Sequence, residues 1–349
     1  NIRFVPMVKI GKDISFKDLV ENWGFSAIII ANGAWQDRTL SIEGIEKFKN
    51  NGLIYQNDFI YWFNHKHEPD YEGYKYHLKD GAVVVGGGLA SLDVVKVFMI
   101  ELVKEKLQEI HNIEVDVFTI EKYGIDKILE EYNITFESLK LKGANLVYRR
   151  TAADMPLKDP KDDSAENIIK ARAISEKLLN KYIEKFKFNF IPLRTPIDFV
   201  HEDNTLKGIV LQHVEVKDGK VHPIENQTEV LTTEMIVSSI GSLPEKIEGL
   251  QYEWDALKMR EHVDYHVYGY DNVFAIGNAI TGRGNIQDSK QHGKKMTRKI
   301  IDHHLTEDAF EKWLINFNDS IKSEVEDKMD SIIDEIKNSE LQPDDIIQR

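Results

Sequence analysis

The sequence contains no cysteine. That excludes a disulfide framework, a redox-active thiol pair, thiolate zinc sites and iron–sulfur clusters held by cysteine. It fits a reducing, cytoplasmic setting. Long apolar runs are missing too, and nothing approaches the roughly 20 residues that cross a bilayer. Basic residues are in deficit, with 45 Lys and Arg against 59 Asp and Glu, for a net charge of −14. Neither nucleic acid nor an anionic membrane surface is therefore an expected partner, because phosphate attraction dominates such binding. No secretory or transit pattern, no G-x-S-x-G elbow and no H-E-x-x-H metal motif occurs. Residue 1 is Asn rather than Met, which points to a fragment or a processed product.

What is present is a chain of 349 residues, 42% hydrophobic and 30% charged, the composition of a globular protein of about two domains. Four segments share one grammar, a short apolar run that stops on glycine: AIIIANG (27–33), AVVVGGG (82–88), MIVSSIG (235–241) and NVFAIGN (272–278). Such runs fit parallel strands covered on both faces, with ligands at their carboxyl ends. The expected class is α/β.

Around these runs, IRFVPMVKI (2–10) reads as a strand and SFKDLVENW (15–23) as a short helix. Residues 45–80 read as an irregular, aromatic connection, 122–139 as a helical insertion and 161–186 as a charged helix. Residues 196–232 read as antiparallel strands turning at Asp203-Asn204 and Asp218-Gly219. Trp313, Phe317, Ile321, Val325, Met329, Ile332 and Ile336 recur at helical spacing, the pattern of a tail helix packed on the body or on a partner.

The strand, Gly86-Gly87-Gly88 and a helix from about Leu89 to Glu109 form the setting in which a glycine loop binds a dinucleotide. Gly86 permits the turn, Gly88 admits the pyrophosphate, and Ser91 keeps helix and strand close. The helix start at Leu89, Ala90 and Ser91 offers N–H groups and its positive end to the phosphates. No Gly-Lys-Ser/Thr follows, so this is not a nucleotide-triphosphate loop. The choice of nucleotide rests on the next strand. VDVFTIE (115–121) ends on Glu121 and reads as NAD; NLVYRR (145–150) ends on Arg149 and Arg150 and reads as NADP. The pattern leaves both open.

Towards the carboxyl end, Gly277 and Asn278 precede ITGRGNI (280–286), where Gly282 and Gly284 would let backbone approach a bound group. A helix starting near Asn285 and Ile286 would stabilise negative charge on it. KQHGKKMTRK (290–299) is a basic island that could dock an acidic carrier or simply face solvent. His65 and His67 could share one strand face. No acid–base pair stands out as catalytic.

In order, GGGLASLDVV, LVYRRTAADMP, VSSIGSLPE and NVFAIGNAITGRGNI resemble the FAD/NAD(P) oxidoreductases related to the glutamate synthase small subunit and, more distantly, the adrenodoxin-type ferredoxin–NADP reductases. AIIIANGAWQDRTL resembles the segment where that family's FAD domain passes into its NADP domain. The resemblance covers residues 1 to about 300. It implies two Rossmann-like dinucleotide-binding domains, an NADP domain at 77–243 inserted into a discontinuous FAD domain at 1–76 and 244–349. It places the NADPH pyrophosphate at Gly86, Gly87, Gly88 and Leu89–Ser91 and the 2′-phosphate at Arg149 and Arg150. Asn32, Gly33, Gly277, Asn278, Gly284, Asn285 and Ile286 become the flavin contacts.

Three departures stand out. The family's second glycine fingerprint, for the ADP half of FAD, is absent before residue 81, Asn32 stands where the family has Thr, and Asn278 where it has Asp. The FAD domain is thus N-terminally incomplete, and a further chain is a candidate source of the missing segment. The implied activity is hydride transfer from NADPH to FAD, with electrons passing to a small-molecule or protein acceptor. The alternative is a non-catalytic NADPH-binding or scaffold subunit without its own flavin.

Overall fold

The computed structural model describes residues 2–261, 265–281 and 286–338. The chain begins with a short helix α1 (Phe16–Glu21), capped by the Ser15 hydroxyl, then β1 (Ile28–Ile30), β2 (Gln36–Asp37), β3 (Leu53–Tyr55) and α2 (Gln56–His65). The glycine loop joins β4 (Val83–Gly86) to α3 (Leu89–His111), which closes on Asn112 in the left-handed conformation. Next come α4 (Val117–Tyr123), α5 (Ile125–Glu131), β5 (Asn145–Val147), α6 (Ala165–Phe186) and β6 (Asn189–Ile191). The long strands β7 (Arg194–Glu202), β8 (Thr205–Lys217) and β9 (Lys220–Thr232) lead into β10 (Ile236–Ser239) and β11 (Ser242–Leu243). The chain ends with β12 (Tyr252–Glu253), β13 (Ala256–Leu257), β14 (Val273–Ala275), α7 (Asn278–Thr281), α8 (Ile286–His304) and α9 (Glu307–Asn338).

Contacts divide the chain into two compact units, residues 34–245 and residues 1–33 with 246–349. The larger holds a five-stranded parallel sheet in the order β3-β10-β4-β5-β6. Val83, Val84 and Val85 are at most 5% exposed because both faces are covered. One face carries α2, α3 and their neighbours, with Phe59, Phe98 and Met99 in the core; the other packs against Phe48, Ile209 and Leu211. Each such side chain contributes roughly 1.5–3 kcal/mol on burial, which anchors the loop at the end of β4. The antiparallel sheet β7-β8-β9 turns at Asp203 and at Asp218-Gly219, all with positive φ, as the turn residues predict.

The smaller unit contains a parallel pair, β1 with β14, in register from Ile28↔Val273 to Ile30↔Ala275. A core of Phe16, Ile30, Leu250, Val267 and Val273 lies against it.

Three sequence expectations change. VDVFTIE is not a strand: Asp116 accepts the Thr119 N–H at 3.0 Å and starts α4, so capping overrides the β-branched residues. Residues 2–10 form no strand, because a strand exists only by pairing and the described residues offer just an isolated bridge, Ile10↔Ile14. Residues 45–80 are not irregular, since they hold β3 and α2. Because β3 joins the five-stranded sheet, it belongs to the larger unit, residues 34–245.

Candidate functional site: a glycine-lined crevice and a second glycine-edged cavity

β4 lies between β5 and β10, where the strand order reverses. This is the topological switch point at which open α/β sheets bind ligands. The three glycines there have three different reasons. A β-carbon at residue 86 would lie 2.2 Å from the Ser239 carbonyl oxygen, and one at residue 87 would lie 2.0 Å from the Tyr148 ring. At Gly88 the same position meets nothing within 4 Å, and its φ of −90° suits any residue. Neither packing nor backbone requires glycine at 88.

The loop is held from inside. The Ser91 side chain is fully buried, and its hydroxyl donates to the Gly88 carbonyl at 2.6 Å. Ser91 and Leu92 N–H groups return to the same carbonyl, and no side chain caps the helix. The first-turn donors at Leu89 and Ala90 therefore stand at the positive end of a 23-residue helix with Ala90 exposed.

Arg149 and Arg150 follow β5, the strand beside β4. Arg150 Nη2 donates to the Gly219 carbonyl at 2.7 Å, which fixes it against the β8–β9 turn. Arg149 is exposed, and neither arginine forms an ion pair among the described residues. Burial pushes the Tyr148 phenol above its ordinary value, and Arg150 and Arg149 pull against that rise. Glu121, the competing acid, lies on α4 and is paired with Lys96 at 2.7 Å. The strand next to β4 thus ends in arginines and not in an acid.

On the other side of β4, a polar cluster sits at the carboxyl ends of β10 and β3. Ser239, in register with Gly86, donates to Gln56 Oε1 at 2.5 Å. Asn57 N–H, in the first turn of α2, donates to both Asp37 carboxylate oxygens at 3.2 Å. The Asn57 side chain donates to the Trp35 carbonyl at 2.6 Å and to the Ser242 hydroxyl at 3.1 Å. Burial pushes the Asp37 carboxyl up to about 6, against the Asn57 hydrogen bond that favours its ionised form. Sequence reading missed this cluster, whose members are brought together only by folding.

In the smaller unit, β1 and β14 are each followed within three residues by a glycine with positive φ, 68° at Gly33 and 69° at Gly277. An open cavity of about 230 Å³ lies there, lined by Ala31, Gly33, Ile276, Gly277, Asn278, Ser289 and Gly293. Gly277 N–H donates to His292 Nδ1 at 3.0 Å, and the Ser289 hydroxyl donates to Asn278 Oδ1 at 2.8 Å. Asn32 is exposed next to this edge. Ile286 opens α8, whereas Gly284 and Asn285 lie outside the described residues. Ser289, His292 and Gly293 were missed, although small residues and a histidine on one face of a helix were a readable signal. Elsewhere, Trp62 is buried against Phe59 and Tyr76 in the core of the larger unit, and His65 ends α2 in contact with Glu68 at 2.9 Å, not on a strand.

Both sites pass a physical test for the groups the motifs imply. The crevice has the unfilled Gly88 cradle, an uncapped helix start and two arginines for a phosphorylated dinucleotide. The cavity has open backbone and neutral hydrogen-bonding groups suited to a flavin.

No family profile matches the chain. It is 24% identical over 278 residues to the mitochondrial NADPH:adrenodoxin oxidoreductase of Arabidopsis thaliana, covering 72% of this chain and 56% of that protein. It is 30% identical over 99 residues to a probable mitochondrial NADPH:adrenodoxin oxidoreductase of Schizosaccharomyces pombe, 28% of this chain and 20% of that one. The chain thus spans about half the length of the first of these relatives, and its match to the second spans 20% of that protein. Its fold is that of Mycobacterium tuberculosis FprA in complex with NADPH, with a TM-score of 0.60 at 23% identity over 84% of this chain and 67% of FprA. The chain is related to the FAD/NAD(P) oxidoreductases of the adrenodoxin-reductase type, the branch that the motifs placed as the more distant.

Proposed function

We propose that this chain is a flavin-dependent NADPH oxidoreductase, or the greater part of one, which passes hydride from NADPH to FAD and electrons to an external acceptor. One observation carries the reading: Gly88 is a glycine that nothing in the fold requires, at the mouth of a switch-point crevice whose neighbouring strand ends in Arg149 and Arg150. Relationship to the adrenodoxin reductases supports it.

The bound cofactors would supply the hydride chemistry itself. What the residues do is hold and orient. Gly86, Gly87 and Gly88 bring backbone to the pyrophosphate, and the Leu89 and Ala90 N–H groups neutralise it. Arg149 and Arg150 offer forked, charge-assisted donors to the 2′-phosphate. In the smaller unit, the open backbone at Gly33 and Gly277 and the Asn278 side chain would seat the flavin, with the start of α8 at Ile286 beside its polar edge. These assignments extend the two-domain reading, in which residues 34–245 form the NADPH-binding domain and the smaller unit the flavin domain.

The other reading is an NADPH-binding or scaffold subunit without flavin of its own. Absorption spectroscopy separates the two. Protein mixed with excess FAD and then freed of unbound ligand retains a flavin band that NADPH bleaches anaerobically on the first reading. A colourless protein that still binds NADPH establishes the second, and one that binds neither refutes both.

A further inference from the structure

A dinucleotide with its pyrophosphate on the loop after β4 extends its halves in opposite directions along the row of strand ends. With the 2′-phosphate at Arg149 and Arg150 beyond β5, the nicotinamide half falls on the side of β10 and β3. The residues there are Ser239, Gln56, Asn57, Ser242 and Asp37. Asp37 is the acid of this cluster. It is half-buried, and its strand β2 is clamped to β11 through Ser242↔Asp37.

We propose that the Asp37 carboxylate, pinned by Asn57 at the carboxyl edge of β3, is the counter-charge for the oxidised nicotinamide ring, so that the ionised carboxylate makes this crevice prefer NADP⁺ to the reduced nucleotide. The inference rests on the NADPH reading above. When hydride leaves C4 of the dihydronicotinamide for a flavin, the C4–H bond breaks with its electron pair and the pyridine ring is left with one positive charge. A carboxylate facing that ring binds the product form better than the neutral substrate form, and the same attraction lowers the barrier as the charge develops. The fold keeps a charge here at a cost, since burial works against it. The other groups that act on Asp37 are Asp58 on α2, which opposes its ionisation, and Lys49 before β3, which favours it and pairs with Asp58 at 3.6 Å. Burial also raises the Tyr55 and Tyr76 phenols, which stay neutral over this range, while Asp37 is raised to about 6.

Three probes read the effect without turnover: 2′,5′-ADP, which lacks the nicotinamide; NADP⁺; and tetrahydro-NADP, whose ring is neutral and gives no hydride. Their dissociation constants are measured by calorimetry on the full chain from about pH 5 to about pH 8. Titration of the 2′-phosphate is common to all three and cancels in ratios. In the wild type, affinity for NADP⁺ relative to tetrahydro-NADP rises about tenfold through pH 6, the size expected of one partly screened charge pair. Asp37→Asn, which keeps the acceptor for Asn57, makes the ratio flat and leaves 2′,5′-ADP unchanged; Asp37→Glu restores the slope. A ratio independent of pH in the wild type overturns the proposal even if the variants do not fold. Failure of 2′,5′-ADP to bind overturns instead the NADPH reading beneath it.

Discussion

Gly86 is paired with Ser239 across the β4–β10 ladder, and the Ser239 carbonyl oxygen stands 2.2 Å from where a β-carbon on residue 86 would sit. Two strands can close up at the switch point only because one of them has no side chain there. Gly88, two residues on, has open space at the same position. The first glycine belongs to the fold, and the proposed nucleotide would account for the third.

Substitution separates the two. Gly86→Ala forces backbone apart and should cost about 1–3 kcal/mol or more, a drop of several degrees in Tm. Gly88→Ala, at a φ of −90°, should leave Tm nearly unchanged. Its added methyl should weaken NADPH by about tenfold or more, equivalent to ~1.4 kcal/mol. Melting curves and nucleotide titrations on the two variants check this; equal melting losses would show that the Gly88 cradle is filled by its own chain.

The two arginines should differ in a measurable way. Loss of a charge-assisted contact costs roughly 1.5–3 kcal/mol, so Arg149→Ala and Arg150→Ala should each weaken NADPH by about tenfold to a hundredfold while hardly altering NADH. Arg150 also holds the β8–β9 turn through Gly219, so its removal alone should lower Tm. Parallel losses for both nucleotides would take the 2′-phosphate away from these residues.

Asp37 links the site to stability. Its folded-state value is raised to about 6 from an ordinary 3.8, so folding favours the protonated carboxyl. The stabilisation is complete below the unfolded value and is lost as pH rises through 6. Asp37→Asn should therefore melt above the wild type at pH 8, with the gap closing as the pH approaches 4. Differential scanning calorimetry across that window decides it; a variant that melts lower at high pH would mean that the charge is stabilising.

Much of this was legible in the sequence, for local reasons. The four glycine-ended segments stand out as unbroken apolar runs, of which Val83–Val85 is buried on both faces, and Gly86 to Ser91 is one contiguous stretch. The Asp203 and Asp218-Gly219 turns are equally local. β3 was not legible, because three residues, Leu53 to Tyr55, carry no period. Val115–Glu121 was misread because a single cap, Asp116, outweighs a β-rich composition. The Asp37–Asn57–Ser242 cluster and the His292 contact with Gly277 join residues distant in the chain, and only the topology brings them together.

His292 gives the sharpest test of the second cavity. Its Nδ1 accepts the Gly277 N–H at 3.0 Å, fixing the left-handed turn at which β14 ends. His292→Phe removes that acceptor and fills space near Gly293 and Gly277, two of the residues that line the cavity. Loss of this one part-buried hydrogen bond costs about 1 kcal/mol, so the fold should persist with a slightly lower Tm. Flavin should not persist with it. After incubation with FAD and removal of free ligand, the variant should retain several-fold less flavin absorbance than the wild type, while its affinity for 2′,5′-ADP in the other unit stays the same. If flavin is retained in full, the ring does not lie against Gly277, and the flavin site must be sought elsewhere in the chain.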